Sequence, residues 1–450
     1  VADELPKGRI ARGYALMKLA ATELPSVAGR LLRQTDQPMD AALLKASAER
    51  ALRTLGELRG LAMKVGQTVS YVDGLLPPEA TDIYQKTLAA LQSQAPTVSF
   101  EELKAEVERG LGRPLAEAYL SFEETPLAAA SIGQVHRATI RDPDGSGREL
   151  EVVVKVQYPS IAHALRSDLK NLDSLRPMVA MLAPGADTRG GFEEVIHHIA
   201  AELDYTLELE NQERFRALVA DLPGMMVPRP YKTHTGKNVL TMDYVPGRTL
   251  REVAEHGSQE LRNRVGEAIF RFTLGMAMGR GVFNTDPHPG NYLVTDDGTV
   301  AFLDFGSVKV LPESLFRQWR EVALMLVTGR YDEWRARSSE LFGMEQMDPE
   351  VRRLHQDNMI ATAALVARDE EVTIDRGMLR DAVRSGVRTA KDIGKTAGWI
   401  PSRSKTMAIP PDFVMVGRMQ VGLFAVLAQL HPRANWNRIL REMLESAPAV

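Results

Sequence analysis

The sequence predicts an α+β protein, in which a small β-containing segment stands between two helical ones. Three observations predict it. Residues 1 to 120 are rich in Ala, Leu, Glu and Arg at helical spacing, as in "MDAALLKASAERALRTLGELRG", with almost no β-branched runs. Residues 121 to 160 change texture, and two β-prone runs flank the turn cluster "RDPDGSG". From Ser258 helical spacing returns and is broken by one more β pattern, "NYLVTDDGTVAFLDFGSV".

Taken in order, the first 120 residues read as a helical extension. "SIGQVHRATI" and "ELEVVVKVQYP" then pair as a hairpin across the Gly/Pro/Asp cluster. A long helical segment is expected from Gly191 to about Val219, running unbroken through Glu202, Asp204 and Glu208. "NVLTMDYVPGRTL" supplies a strand that ends at a Pro-Gly breaker. The "NYLVTDDGTVAFLDF" pattern folds back across Asp297-Gly298, a dipeptide suited to a tight hairpin turn. The chain is then helical almost at once, from "PESLFRQWREVALML" to its end. These textures divide it into a helical extension (1–120), a β-containing segment with inserted helices (121–245) and a helical segment (246–450).

Composition narrows the function. Lys and Arg number 55 against 59 Asp and Glu, a formal charge of −4, so no basic field points to nucleic acid. With no cysteine there is no thiol nucleophile, disulfide or cysteine-held metal. No apolar run reaches the ~20 residues of a spanning helix, and the first residues, "VADELPKGRIARG", have no signal-peptide core. The expectation is a cytoplasmic protein or one lying on the inner face of a membrane without crossing it. "GRIARGYALMKLAATELPSVAGRLL" suits either anionic lipid, through Arg9, Arg12 and Lys18, or a buried helix. One "ExxH" unit, Glu194 and His197, has no second unit to complete a di-iron site. No GxxxxGK[ST] motif is present.

The chemistry is concentrated in "NTDPHPGNYLV" and the hairpin after it. Pro287 and Pro289 stiffen a turn carrying Asp286 and His288. Asn291 heads the first hairpin strand and Asp304 follows the second, so both return to one edge. Oxygen-bearing side chains converging there suit Mg²⁺ on a triphosphate, since Mg²⁺ takes few protein ligands and leaves the rest to phosphate and water. In the protein-kinase template the Asp of the loop orients or deprotonates the acceptor, and the Asn and the DFG Asp hold metal. An Asp/Asn-rich turn that merely caps its own backbone is the alternative. His288 is either a base or a brace for the loop.

A kinase-like protein requires further groups upstream, in a fixed order. "VVVKV" places Lys155 on a strand, where an ammonium meets the α- and β-phosphates, and Glu208 is its candidate acidic partner on a helix. "VLTMDYVPG" then resembles the strand into an interlobe hinge, with Met242 lining an adenine pocket and the Asp243 carbonyl and Val245 amide facing the base. Taken singly, such a strand lysine is more often a solvated edge residue and a helix glutamate is usually surface; the order and spacing of the motifs give Lys155 and Glu208 their force.

With these motifs the chain resembles the UbiB-like (AarF, ADCK) atypical kinases over nearly its whole length. "KVGQ", with Lys64, Gly66 and Gln67, resembles the family's KxGQ signature, and "AAAS" (Ala128, Ala129, Ala130, Ser131) stands where ordinary kinases carry a glycine-rich phosphate loop. "ELD", with Glu202 and Asp204, resembles its ExD motif. The resemblance implies a protein-kinase-like bilobal fold with a helical KxGQ extension lying across the active site. It also implies ATP or ADP with Mg²⁺ as cofactors, and ATPase or small-molecule phosphotransfer activity linked to isoprenoid-quinone and lipid metabolism at a membrane surface.

Alanine in place of glycine keeps Cβ atoms near the phosphates, so this loop should hold them less closely and tune ATP against ADP. On helical geometry Gly60, Lys64 and Gln67 share a stripe away from Leu44, Ala48, Leu52, Leu55 and Leu58. The unbroken-helix expectation assigns Glu202 to Lys64 and Asp204 to the metal region. Asn284 and Thr285 replace the family's more usual His and Ala before "DPHPGN", which bears on loop anchoring. The short interval from Asp304 to Pro312 leaves no activation segment, so a small molecule, a lipid or water is a better acceptor than a polypeptide. The alternative function is an ATP-gated lipid-binding or scaffold module without acceptor phosphorylation. Nothing in the sequence indicates an oligomeric state.

Overall fold

The structure is a computed structural model that describes residues 99–130, 132–158, 200–396, 407 and 410–446. Lys64, Gly66, Gln67 and Ser131, the basic N-terminal run, and Glu194 and His197 lie outside the described residues. The chain divides into two compact units. The first takes in the described residues up to 158 with 200–209 and 230–244, and the second takes in 210–229 and everything from 245 onward.

In chain order the first elements are helices α1 (Phe100–Leu111) and α2 (Leu115–Ala118) and strands β1 (Ser121–Phe122), β2 (Ala128–Ala129), β3 (Gly133–Arg141) and β4 (Glu149–Gln157). Helix α3 (Tyr205–Val219), β5 (Met225–Met226), β6 (Val239–Asp243), β7 (Arg248–Thr249), α4 (Leu250–His256), α5 (Gln259–Phe270) and α6 (Met276–Arg280) follow. Next come β8 (Val282–Asn284), β9 (Tyr292–Val294), β10 (Val300–Phe302) and β11 (Val308–Val310). The remainder is α7 (Glu313–Val327), α8 (Tyr331–Leu341), α9 (Pro349–Thr362), α10 (Ala364–Ala367), β12 (Val372–Thr373), α11 (Arg376–Thr396), α12 (Phe413–Leu430), β13 (Arg433–Ala434) and α13 (Trp436–Ser446).

The first unit is a five-stranded antiparallel sheet of order β1-β3-β4-β6, with β2 also on β3. The expected hairpin forms in full, from Arg141↔Glu149 to Gly133↔Gln157. Its turn closes because the Asp142 carboxylate accepts from the Asp144 amide and the Arg148 guanidinium, while Gly145 and Gly147 take positive φ. Strand alternation sends Val152, Val154 and Val156 into a core with Leu103 and Val107 of α1, leaving Lys155 on the opposite face. Helix α1 starts where it does because Ser99 and Glu102 form a capping box.

The second unit is mainly helical around one large apolar core. It carries a four-stranded sheet of order β5-β10-β9-β7 and a β8–β11 ribbon. The expected β9–β10 hairpin is present, with Val300 opposite Val294 and Gly298 at φ 87° in its turn. A π-helical turn, Arg271–Gly275, joins α5 to α6. Beneath the hairpin Phe272 stacks on Phe302, and Phe305 packs against Phe215 and Phe272. Together the sheet-containing and helical units make the kinase-like α+β fold that the sequence predicts. No helix among the described residues is long and apolar enough to cross a membrane.

One expectation is corrected. The helical segment does not run unbroken through residues 202–208: Glu202 and Leu203 form a turn, and α3 begins only at Tyr205. Asp204 causes the break, because its carboxylate accepts from both the Thr206 amide and the Thr206 hydroxyl. A side chain that satisfies the first exposed donors of a helix starts that helix rather than continuing one.

Candidate active site

In the first unit, β4 and α3 bring Lys155 and Glu208 together across 53 residues of sequence. The ammonium donates to both carboxylate oxygens, at 2.8 and 3.0 Å. The side chains are 8% and 2% exposed, so this is a buried ion pair rather than a solvated one. The Tyr205 ring lies 5.0 Å below the ammonium. Such a cation is held in one place, which suits a phosphate contact. Ala128 and Ala129 pair with Val135 and Gln134, and the Ala130 amide donates to the Gly133 carbonyl, closing the alanine turn. Close backbone approach defines Gly133, since a Cβ there would lie 2.0 Å from the Val156 carbonyl oxygen. Met242 and Asp243 end β6, where Met242 is buried and Asp243 accepts from the Tyr231 hydroxyl. Glu202 is buried.

In the second unit, Asp286, Asn291 and Asp304 are tied into one hydrogen-bonded lattice. The Asn291 amide nitrogen donates to the Asp286 carbonyl at 3.1 Å. Leu303 donates its backbone N–H to the Asn291 carbonyl at 3.0 Å, and Asp304 Oδ1 accepts from the Gly306 amide at 3.0 Å. His288 braces the turn, its Nδ1 accepting from the Gly290 amide. The two replacements before the motif do the anchoring. Asn284 donates to the Asp304 carbonyl at 2.6 Å and accepts from the Asp286 amide at 2.8 Å, and the Thr285 and Ser307 hydroxyls share a hydrogen bond. Asn211 of α3 donates to the Phe305 carbonyl. Burial, and after it the charge of Asp286, push the Tyr292 phenol well above its ordinary range. Val245 is buried in this unit.

The residue that sequence reasoning missed is Arg418. Its Nη2 donates to Asp286 Oδ1 at 3.0 Å, and the two side chains are 16% and 12% exposed. One signal was available. Helix α12, "FVMVGRMQVGLFAVLAQL", is mostly apolar and carries this single charged residue, and a lone charge in such a helix needs a partner.

The donor set fits Mg²⁺ with phosphate. Asn291 and Asp304 offer an amide and a carboxylate oxygen, both hard ligands, and the metal's remaining positions fall to phosphate and water. The Asn291 amide nitrogen is already committed to Asp286, which orients its oxygen the other way.

A family model for the ABC1 atypical kinase-like domain matches residues 90–337. The AarF domain-containing protein kinase 1 of Xenopus tropicalis is 30% identical over 372 residues, 81% of this chain and 66% of that protein, so the chain spans about two thirds of its length. The mitochondrial atypical kinase COQ8B of Rattus norvegicus is 30% identical over 74% of this chain and 61% of its own. A solved structure of Rv3197 from Mycobacterium tuberculosis, in complex with erythromycin, superposes with a TM-score of 0.60 at 28% identity, covering 90% of this chain and 97% of the other. The chain belongs to the ABC1 atypical kinase-like family, the UbiB-like group to which AarF and COQ8 proteins also belong.

Proposed function

We propose that the protein binds Mg-ATP or Mg-ADP and, from ATP, transfers the γ-phosphoryl group to a small-molecule or lipid acceptor, or to water. The lattice that ties Asp286, Asn291 and Asp304 together carries this reading. Asn291 and Asp304 hold the metal. Lys155, fixed by Glu208, meets phosphate oxygens. The acceptor oxygen bonds to the γ-phosphorus as the bond to the β–γ bridging oxygen breaks; ADP leaves with that electron pair, and the acceptor's proton passes to Asp286. The alanine turn, Met242, Asp243 and Val245 line the nucleotide's place, and Lys64, Gly66, Gln67, Glu202 and Asp204 regulate access. Family membership supports a role in isoprenoid-quinone or lipid metabolism, and a structural relative with a small molecule bound fits a non-polypeptide acceptor.

Thermal unfolding with and without Mg-ATP and Mg-ADP tests the reading, wild type beside Asp304→Asn. A ligand that binds only the folded state at 100 times its Kd adds about 2.7 kcal/mol of stability. A Mg-dependent rise in Tm should appear in the wild type and be lost in the variant. No rise with either nucleotide would leave the scaffold reading in its place.

A further inference from the structure

We propose that Arg418 is the positioning residue for Asp286, holding the carboxylate aimed at the acceptor; the inference rests on the Mg-nucleotide reading above. Asp286 is fixed on three sides. Its amide is held by Asn284, its carbonyl by Asn291, and its carboxylate by Arg418. The first two bonds set the backbone and leave the side-chain torsions open. The Arg418 guanidinium acts on the carboxylate itself, and pinning Oδ1 sets the direction of Oδ2.

Helix α12 is built to deliver that contact. Gly422 lies one helical turn after Arg418, so the two share a face. A Cβ at Gly422 would come within 2.7 Å of the Pro287 ring and 3.2 Å of the Pro287 carbonyl oxygen. Glycine there lets the helix seat directly on the Asp-Pro-His-Pro turn, which brings the Arg418 head within reach of Asp286. At the start of α12, Lys309 of β11 pairs with Asp412 at 2.7 Å and fixes the helix along its length. The guanidinium is no ordinary surface partner. Among the described residues its Nε is buried and meets no hydrogen-bond partner, a cost that accompanies the placement of the Nη2 donor.

Arg418→Ala, Arg418→Lys and Gly422→Ala test this, each read for ADP release from Mg-ATP and for the Mg-ATP-induced rise in Tm. Misplacing a reacting group by about 1 Å costs roughly 100-fold in rate. Arg418→Ala should lose turnover on that order with the nucleotide-induced rise retained. Millimolar guanidinium should restore part of it in Arg418→Ala and do nothing for Asp286→Asn. Arg418→Lys should fall between, since an ammonium lacks the planar fork. Arg418→Ala combined with Asp286→Asn should be no slower than Asp286→Asn alone, because the arginine acts through the aspartate.

Turnover in Arg418→Ala within twofold of wild type, or above it, overturns the proposal, as does a double variant whose losses multiply. If Arg418→Ala gives no cooperative melt, Arg418→Lys and Gly422→Ala carry the test: both keep a cation at 418, and wild-type turnover in both overturns it. Wild-type protein that shows neither a Mg-nucleotide-induced rise in Tm nor ADP release removes the nucleotide reading and this proposal together. Turnover in the wild type that survives in the variants removes only the role of Arg418.

Discussion

Lys155 and Glu208 show what one pair of side chains determines. Both charges are taken out of water, and each is tolerated there because the other is present. Removing one partner of a buried pair typically costs about 3–5 kcal/mol, since the charge left behind keeps its desolvation penalty. Glu208→Gln should therefore lower the unfolding free energy by about 3 kcal/mol in urea titration and weaken Mg-nucleotide binding. A loss below ~1 kcal/mol would mean that the pair behaves as a solvated bridge. The lysine was legible because it interrupts a run of valines on a strand, and a charge at such a position must be accounted for. Arg418 carried a similar signal, a lone charge in a mostly apolar helix, but its target was not legible, because Asp286 lies 132 residues away and no local pattern joins the two.

At the scale of elements, local chemistry decides where strands and helices begin and end. Two hairpins were legible from their turn residues, and both form. The break before α3 was not read, although its cause is local: Asp204 two residues before Thr206 is a helix-starting pattern that competes with the helical periodicity around it. Gly133 is the opposite case, a residue whose role appears only when the paired strand is in place. A methyl group there would meet the backbone carbonyl of Val156, which the β3–β4 ladder holds fixed. Gly133→Ala should destabilise the protein by about 1–3 kcal/mol in thermal or urea unfolding. It should also loosen the alanine turn, because the Ala130 amide bonds to the Gly133 carbonyl. An unchanged midpoint would show that the ladder can shift to admit the methyl group.

For the whole molecule, the missing activation segment matters most. After Asp304 the chain makes the short strand β11, paired with β8, and enters α7 at Glu313. The interval that docks a polypeptide in ordinary kinases is here spent on a ribbon. Labelled γ-phosphate should therefore pass to water or to a small-molecule or lipid acceptor in preference to generic protein substrates. Efficient labelling of unstructured protein substrates would reverse that ranking. Periodicity and turn residues determined the fold class and the two hairpins, because each is encoded within a few residues, while the order of the motifs along the chain pointed to Lys155 with a helix acid and to Asp286, Asn291 and Asp304. Tertiary structure alone decided that Asn284 ties Asp286 to Asp304, that Gly133 must be glycine, and that Arg418 grips Asp286. Those contacts depend on which surfaces meet, and packing between distant segments leaves no period or spacing in the chain that forms them.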